Sequence, residues 1–109
     1  MNLETFLIET FNTEHGYCFR PRLFCKDGFN MSVQASAGHY CIPRKTVDSY
    51  ESVEIGFPSE EEGIIISYAE DKNSPTQTVY ACVPIQLVQD VINKHGGIDV
   101  DKTFEKNNF

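Results

Sequence analysis

The sequence predicts one α+β domain, an antiparallel β-sheet of about five strands with an N-terminal helix and one C-terminal helix packed on it. Apolar residues recur at helical spacing near both ends of the chain, and between them they alternate with period two. A length of 109 residues with 40% hydrophobic content supports one modest core, so residues 1–109 are read as a single domain.

Asn2 is suited to cap a first helix that runs through Phe11, with Glu4 favourable in the first turn. Leu3, Phe6, Leu7 and Phe11 form its apolar stripe, and Asn12 to Gly16 breaks it. From Tyr17 the period becomes two, and Asp27-Gly28 marks a hairpin between Tyr17 to Cys25 and Phe29 to Ser36. A two-residue loop would set Arg20 opposite Ala35 and Arg22 opposite Val33, mixing charged and apolar side chains on both faces. A three-residue loop, Lys26-Asp27-Gly28 with a left-handed Gly28, instead pairs Leu23 with Met31, Pro21 with Val33 and Phe19 with Ala35. That register makes one face apolar and is the one expected. Its other face carries Arg20, Arg22, Ser32, Gln34 and Ser36, and Pro21 assigns the first strand to a sheet edge.

Val53, Ile55 and Phe57 alternate with Ser52, Glu54 and Gly56 in a strand that Pro58 ends, and an acidic loop follows from Ser59 to Gly63. Ile64 to Tyr68 reads as a buried strand, Ala69 to Thr76 as a polar loop, and Gln77 to Val83 as the last strand. The second helix is expected from Pro84 to His95, with Pro84 at its first position and Gly96-Gly97 as its stop. Leu87, Val88, Val91 and Ile92 form its buried stripe, and Asp90 and Lys94 are spaced to pair outside. After about Ile98 the periodicity fades, which predicts a mobile tail.

The net charge of −7 and a pI near 4.8 argue against a general duplex-DNA binder. The charge is uneven. Up to Lys45 five basic residues (Arg20, Arg22, Lys26, Arg44, Lys45) face four acidic ones (Glu4, Glu9, Glu14, Asp27), so this part is +1 and the remainder −8. Neither a secretory leader nor an apolar run of about 20 residues is evident, which predicts a soluble cytoplasmic protein. In such a compartment Cys18, Cys25, Cys41 and Cys82 are free thiols or metal ligands rather than a disulfide framework, and buried small hydrophobes in the plainest reading.

No catalytic motif is present, so a non-enzymatic role is expected. Functional side chains are densest in Ser36-Ala37-Gly38-His39-Tyr40-Cys41-Ile42-Pro43-Arg44, a loop by its Gly38 and Pro43. Arg44 as a bidentate donor, Tyr40 by stacking and His39 as a donor are suited to a phosphorylated ligand, joined by Arg20, Arg22 and Gln34 from the polar hairpin face. A surface loop with one buried anchor beside a solvated strand face explains the same residues without a ligand. His39, Tyr40 and Cys41 also raise thiol chemistry, and Cys18, Cys25, Cys41 and His39 a zinc site, although no C-x-x-C spacing occurs. No cofactor is implied. Glu60, Glu61 and Glu62, with Glu70, Asp71, Asp99 and Asp101, offer carboxylates that imitate nucleic-acid phosphates to a basic partner, or merely keep loops solvated.

Two segments stand out, Asp27-Gly28-Phe29-Asn30-Met31-Ser32-Val33-Gln34-Ala35-Ser36 and His39-Tyr40-Cys41-Ile42-Pro43-Arg44. They are followed in order by Val53-Glu54-Ile55-Gly56-Phe57-Pro58, Tyr68-Ala69-Glu70, Thr78-Val79-Tyr80, Val83-Pro84 and His95-Gly96-Gly97-Ile98. In this pattern, from Asp27 to Ile98, the chain resembles small proteins encoded by bacteriophages and prophages. The resemblance implies a host-takeover or counter-defence setting and no particular chemistry. Two expectations follow. In one, the acidic surface of Glu60, Glu61, Glu62, Glu70 and Asp71 docks on a basic host protein such as a CRISPR nuclease and inhibits it. In the other, Arg20, Arg22, Gln34, His39, Tyr40 and Arg44 sequester a phosphorylated nucleotide. A structural or zinc-binding accessory protein that self-associates is the third reading.

Overall fold

The computed structural model describes residues 1–11 and 19–105, so the expected break at Asn12 to Gly16 and the start of the expected first strand lie outside the described residues. Asn2 caps α1 (Leu3–Glu9) as anticipated, its side chain accepting from the Thr5 amide at 2.9 Å. The helix ends two residues before Phe11, which is half-buried. Leu3, Phe6 and Leu7 face the core, where burial of each such side chain contributes about 1.5–3 kcal/mol.

The hairpin has the three-residue loop and, at Leu23–Met31, the register derived above, but the ladder does not reach the expected Pro21–Val33 and Phe19–Ala35 pairs, and Phe19 is exposed. In β1 (Leu23–Phe24) and β2 (Asn30–Gln34), Leu23 pairs with Met31, and Gly28 has φ +100°, a conformation a side chain would resist. The first strand is far shorter than expected, because Pro21 has no N–H for a ladder. Beyond it the Gln34 side chain substitutes for a strand partner: its Oε1 accepts from the Arg20 amide at 2.8 Å and its Nε2 donates to the Arg20 carbonyl at 2.9 Å.

β3 (Ser52–Gly56) pairs antiparallel with β2, and β4 (Val79–Pro84) antiparallel with β3, giving one four-stranded sheet in the order β1-β2-β3-β4. Four strands replace the five expected. The missing one is Ile64 to Tyr68, which forms a turn and a short 3-10 helix (Ile66–Tyr68). Glu62, two residues before this run, is held by Lys94, and the chain meets the β4 edge at the bridge Ala69–Tyr80 and the bond from Glu70 N–H to the Val79 carbonyl. Ile65 is buried while Ile64, Ile66 and Tyr68 are half-buried, so the apolar run is used without a ladder.

Pro84 stands at the capping position of α2 (Ile85–Lys94), one residue earlier than predicted. Val88, Val91 and Ile92 are buried and Leu87 partly so. The expected Asp90–Lys94 pair does not form: Asp90 accepts from Gln86 at 3.0 Å, and Lys94 turns to Glu62. The α1 and α2 helices pack together, tied by Leu3 N–H to Gln89 Oε1 at 2.8 Å, and cover the face of the sheet that carries Met31, Val33, Val53, Ile55, Tyr80 and Val83. On the opposite face Arg22, Ser32, Gln34 and Glu54 are half-buried.

After Ile98 the chain packs on the domain as far as Phe104, and residues 106–109 lie outside the described residues. Ile98 bridges Cys25, and Asp99 caps a third helix, α3 (Val100–Thr103). Phe24 donates to Thr103 Oγ1 at 3.0 Å, and the Phe104 ring packs 6.2 Å from that of Phe6. These contacts cover the free edge of β1, which would otherwise expose unpaired backbone groups. Among the described residues no helix is long and apolar enough to cross a membrane.

Candidate interaction surfaces

The two candidate sites fall at opposite ends of the sheet, because β2 runs from the hairpin turn at one end to the Ser36–Arg44 loop at the other.

At the loop end the expected ligand cluster is dispersed. Arg20 is 5% exposed, its Nη1 donating to the Ala35 carbonyl at 2.5 Å and its Nη2 to the Leu7 carbonyl at 3.3 Å. It is therefore absent from the polar hairpin face. Arg22 stays on that face, held by Asn30 Oδ1 at 2.6 Å and by the Phe57 carbonyl. His39 is buried, with Nδ1 2.6 Å from Ser36 Oγ. The Gly38 amide donates to the same oxygen at 3.1 Å, so the Ser36 hydroxyl joins the loop backbone to the imidazole. Burial first, and the nearby Arg20 second, hold His39 below its ordinary pKa. Ser36 is fully enclosed, so this serine–histidine pair shapes the loop. Tyr40 and Arg44 are exposed and stack on each other at 5.1 Å. Of the six residues expected to hold a phosphorylated ligand, only these two pair at the surface.

Cys25 and Cys41 are buried thiols that favour the protonated form. Cys41 donates towards the Ser36 and Pro43 carbonyls at 3.3 and 3.4 Å, and burial raises its pKa. Burial, reinforced by Asp27, pushes Cys25 up to about 12. Cys25 belongs to the turn end and Cys41 to the loop end, so the two do not join His39 in one zinc site. Cys18 lies outside the described residues, and among those described no three His, Cys, Asp or Glu residues form a metal-binding group. At pH 8, iodoacetamide is expected to leave Cys25 and Cys41 unmodified in the native protein and to alkylate both in 8 M urea. Peptide mass spectrometry checks this, and rapid native labelling of Cys41 would refute the protonated state.

Carboxylates converge at the turn end, an arrangement the sequence left open. Ser59 N–H donates to the Asn30 carbonyl at 2.8 Å, pinning the acidic loop beside the start of β2. Glu70 N–H donates to the Val79 carbonyl at 3.0 Å and Asp71 N–H to Thr78 Oγ1 at 3.1 Å, so this second acidic segment lies beside the start of β4. Glu60, Glu61, Glu70 and Asp71 are exposed. Burial first and the charge of Glu70 second raise the Glu54 pKa.

Between the two acidic segments stands Phe57, which sequence reasoning assigned to the apolar face of β3. It is 49% exposed with φ +48°, a strained backbone for a bulky residue. Its amide donates to the Thr78 carbonyl at 3.0 Å and its carbonyl accepts from Arg22. The neighbouring Pro58 would favour extended backbone at Phe57, so no local signal announces this conformation.

Glu62 departs from the expected surface. It is 1% exposed and accepts from Lys94 Nζ at 2.7 and 3.0 Å. His95 stands beside it with Nε2 3.5 Å from Glu62 Oε1, Nδ1 2.6 Å from Asp27 Oδ2, and its ring stacked 4.1 Å from that of Phe29. The Phe29 amide, then the His95 hydrogen bond, lower the Asp27 pKa. This cluster joins the hairpin turn, the acidic loop and the end of α2, and so fixes the frame on which the exposed carboxylates are mounted. Compared with known proteins, the chain matches no family model, no curated protein and no solved structure.

Proposed function

We propose that this chain is a non-enzymatic binding protein whose turn end docks on a basic surface of a partner protein. In the phage setting that its sequence resembles, the partner is a host defence nuclease of the CRISPR kind, inhibited by occupation of its nucleic-acid groove. One observation carries the reading: the exposed Glu60, Glu61, Glu70 and Asp71 lie on two segments tied to the same end of the sheet, the end at which Phe57 is also exposed. Exposed carboxylates steer a basic partner and set orientation, while a desolvated aromatic ring supplies binding energy. The rival reading, sequestration of a phosphorylated nucleotide, is less well supported because Arg20 and His39 turn inward.

Reversing all four charges, Glu60→Lys, Glu61→Lys, Glu70→Lys and Asp71→Lys, is expected to weaken nuclease binding by about 100-fold at low salt, on the basis of up to about 1 kcal/mol per exposed pair. Arg44→Ala should change it less than twofold. Surface plasmon resonance on the purified nuclease measures both. Loss of binding with Arg44→Ala and not with the fourfold reversal would sink the proposal.

A further inference from the structure

We propose that Cys41 and Cys82 are a dithiol that low-molecular-weight disulfides oxidise to an intramolecular disulfide, fastening the Tyr40–Arg44 part of the loop to the edge strand β4. Neither cysteine belongs to the acidic segments of the turn end.

Strand pairing brings the two thiols together. Ile42 bridges Ser52 at the start of β3, and Ser52 pairs in turn with Pro84 of β4, so the chain just after each cysteine is anchored at the same residue. The backbones also meet directly, the Cys82 amide donating to the Tyr40 carbonyl at 3.0 Å. Only that carbonyl, the hydrogen bond and one N–Cα bond separate the two α-carbons, which bounds their distance at about 7 Å. A disulfide spans gaps up to about that length. The proximity is felt electrostatically: burial first raises the Cys41 pKa, and the charge of Cys82 adds to the rise.

A distortion of β4 makes this contact. Val53 pairs with Val83 and Ile55 with Tyr80, so Ala81 and Cys82 together oppose the single residue Glu54, which is a β-bulge. Cys82 takes φ +50°, a left-handed backbone that a residue with a side chain resists, and its amide leaves the ladder for Tyr40. The strained residue of the edge strand is therefore the one that meets the loop.

The two thiols differ in access, and the difference orders the reaction. Cys82 is half-buried, whereas Cys41 is 3% exposed. Cys82, as the thiolate, attacks one sulfur of the small disulfide, forming a mixed disulfide and expelling a small thiolate that takes up a proton. Cys41 then gives its proton to solvent and attacks the Cys82 sulfur, forming the Cys41–Cys82 bond and expelling the second small thiolate. The protein dithiol loses two electrons, and the reagent is reduced to two thiols. Burial keeps external reagents from Cys41 but does not separate it from a sulfur carried by its neighbour.

The test incubates the reduced full chain with oxidised glutathione at pH 8, in buffer and in 8 M urea, followed by acid quench, intact mass and peptide mapping. In buffer the expected product has lost two hydrogens, carries no glutathione and links the Cys41 and Cys82 peptides, and it should close at least about tenfold faster than in urea. Cys41→Ser should stop at glutathione bound to Cys82. Cys82→Ser, a change at a half-buried position whose circular dichroism reports folding, should yield no linkage to Cys41. The oxidised chain should melt more than about 5 °C above the reduced one, because the bond closes a long loop of the unfolded chain. A glutathione adduct that persists on Cys82 of the unsubstituted chain, a linkage to Cys18 or Cys25 instead, closure no faster than in urea, or a lower melting temperature would each overturn the assignment. The turn-end carboxylates take no part in these readouts, so failure here and failure of the docking proposal are told apart.

Discussion

Replacing Lys94 with Met is expected to lower the free energy of unfolding by about 3 kcal/mol, whereas Glu62→Gln costs about 1 kcal/mol. The asymmetry follows from where the two charges sit. Lys94 is 54% exposed and Glu62 1%. Without Glu62 the ammonium relaxes into water, and a glutamine at that position still offers it a carbonyl. Without Lys94 the carboxylate loses both of its short hydrogen bonds, at 2.7 and 3.0 Å, yet remains enclosed, with only His95 Nε2 at 3.5 Å beside it among the described residues. An uncompensated buried charge costs more than the pair contributes, so the double variant Lys94→Met with Glu62→Gln should recover part of the loss. Urea denaturation at pH 7 measures all three. Equal costs for the two single variants would refute the enclosed-carboxylate argument.

That pair shows what kind of information the linear chain lacks. Glu62 belongs to a run of three glutamates, which as a pattern reads as a solvated loop. Its inward turn depends on Lys94, 32 residues away, and the local i,i+4 signal sent Lys94 to Asp90 instead. Phe57 is similar: alternation in β3 assigned it to the core, but the strand ends at Gly56 and the backbone turns left-handed one residue later. Ile64 to Tyr68, read as a strand, departs for a different reason, since a short apolar run serves a compact turn as well as a strand. Thr103 and Asp99 fasten the tail by polar bonds to β1, which hydrophobic periodicity does not register.

Where local chemistry and burial agreed, the fold was legible. The Lys26-Asp27-Gly28 loop and its register came from asking which pairing separates apolar from polar faces, and Leu23 opposite Met31 answers it. The second helix was visible from its stripe and its Gly-Gly stop, the first from Asn2 and its own stripe. The candidate surface was legible only as composition. The excess of acid after Lys45 was plain, while its gathering at one end of the sheet required the pairing of β2, β3 and β4.

Arg20→Met is the second large effect, an expected loss of about 3 kcal/mol. Strand alternation put Arg20 outside, but the ladder stops at Leu23, and beyond Pro21 the chain is free to turn the side chain inward. There the guanidinium joins the Ala35 carbonyl after β2 to the Leu7 carbonyl of α1, so one residue ties the hairpin to the helical layer. A methionine fills much of the volume and leaves both enclosed carbonyls without that donor. Arg20→Lys should recover less than half of the loss, because an ammonium lacks the rigid fork that addresses two carbonyls at once. The substitution also has an electrostatic signature. His39 is held below its ordinary pKa by burial and then by Arg20, so the native state binds fewer protons there than the unfolded chain. Stability conferred by the neutral imidazole is therefore present above the unfolded pKa and lost as pH falls through the ordinary imidazole range towards the folded value. Arg20→Met removes one of the two causes, which should shift the His39 titration upward in an NMR pH series and flatten the stability slope across that range. A His39 titration unmoved by Arg20→Met, in a variant that still folds, would show that burial alone sets it.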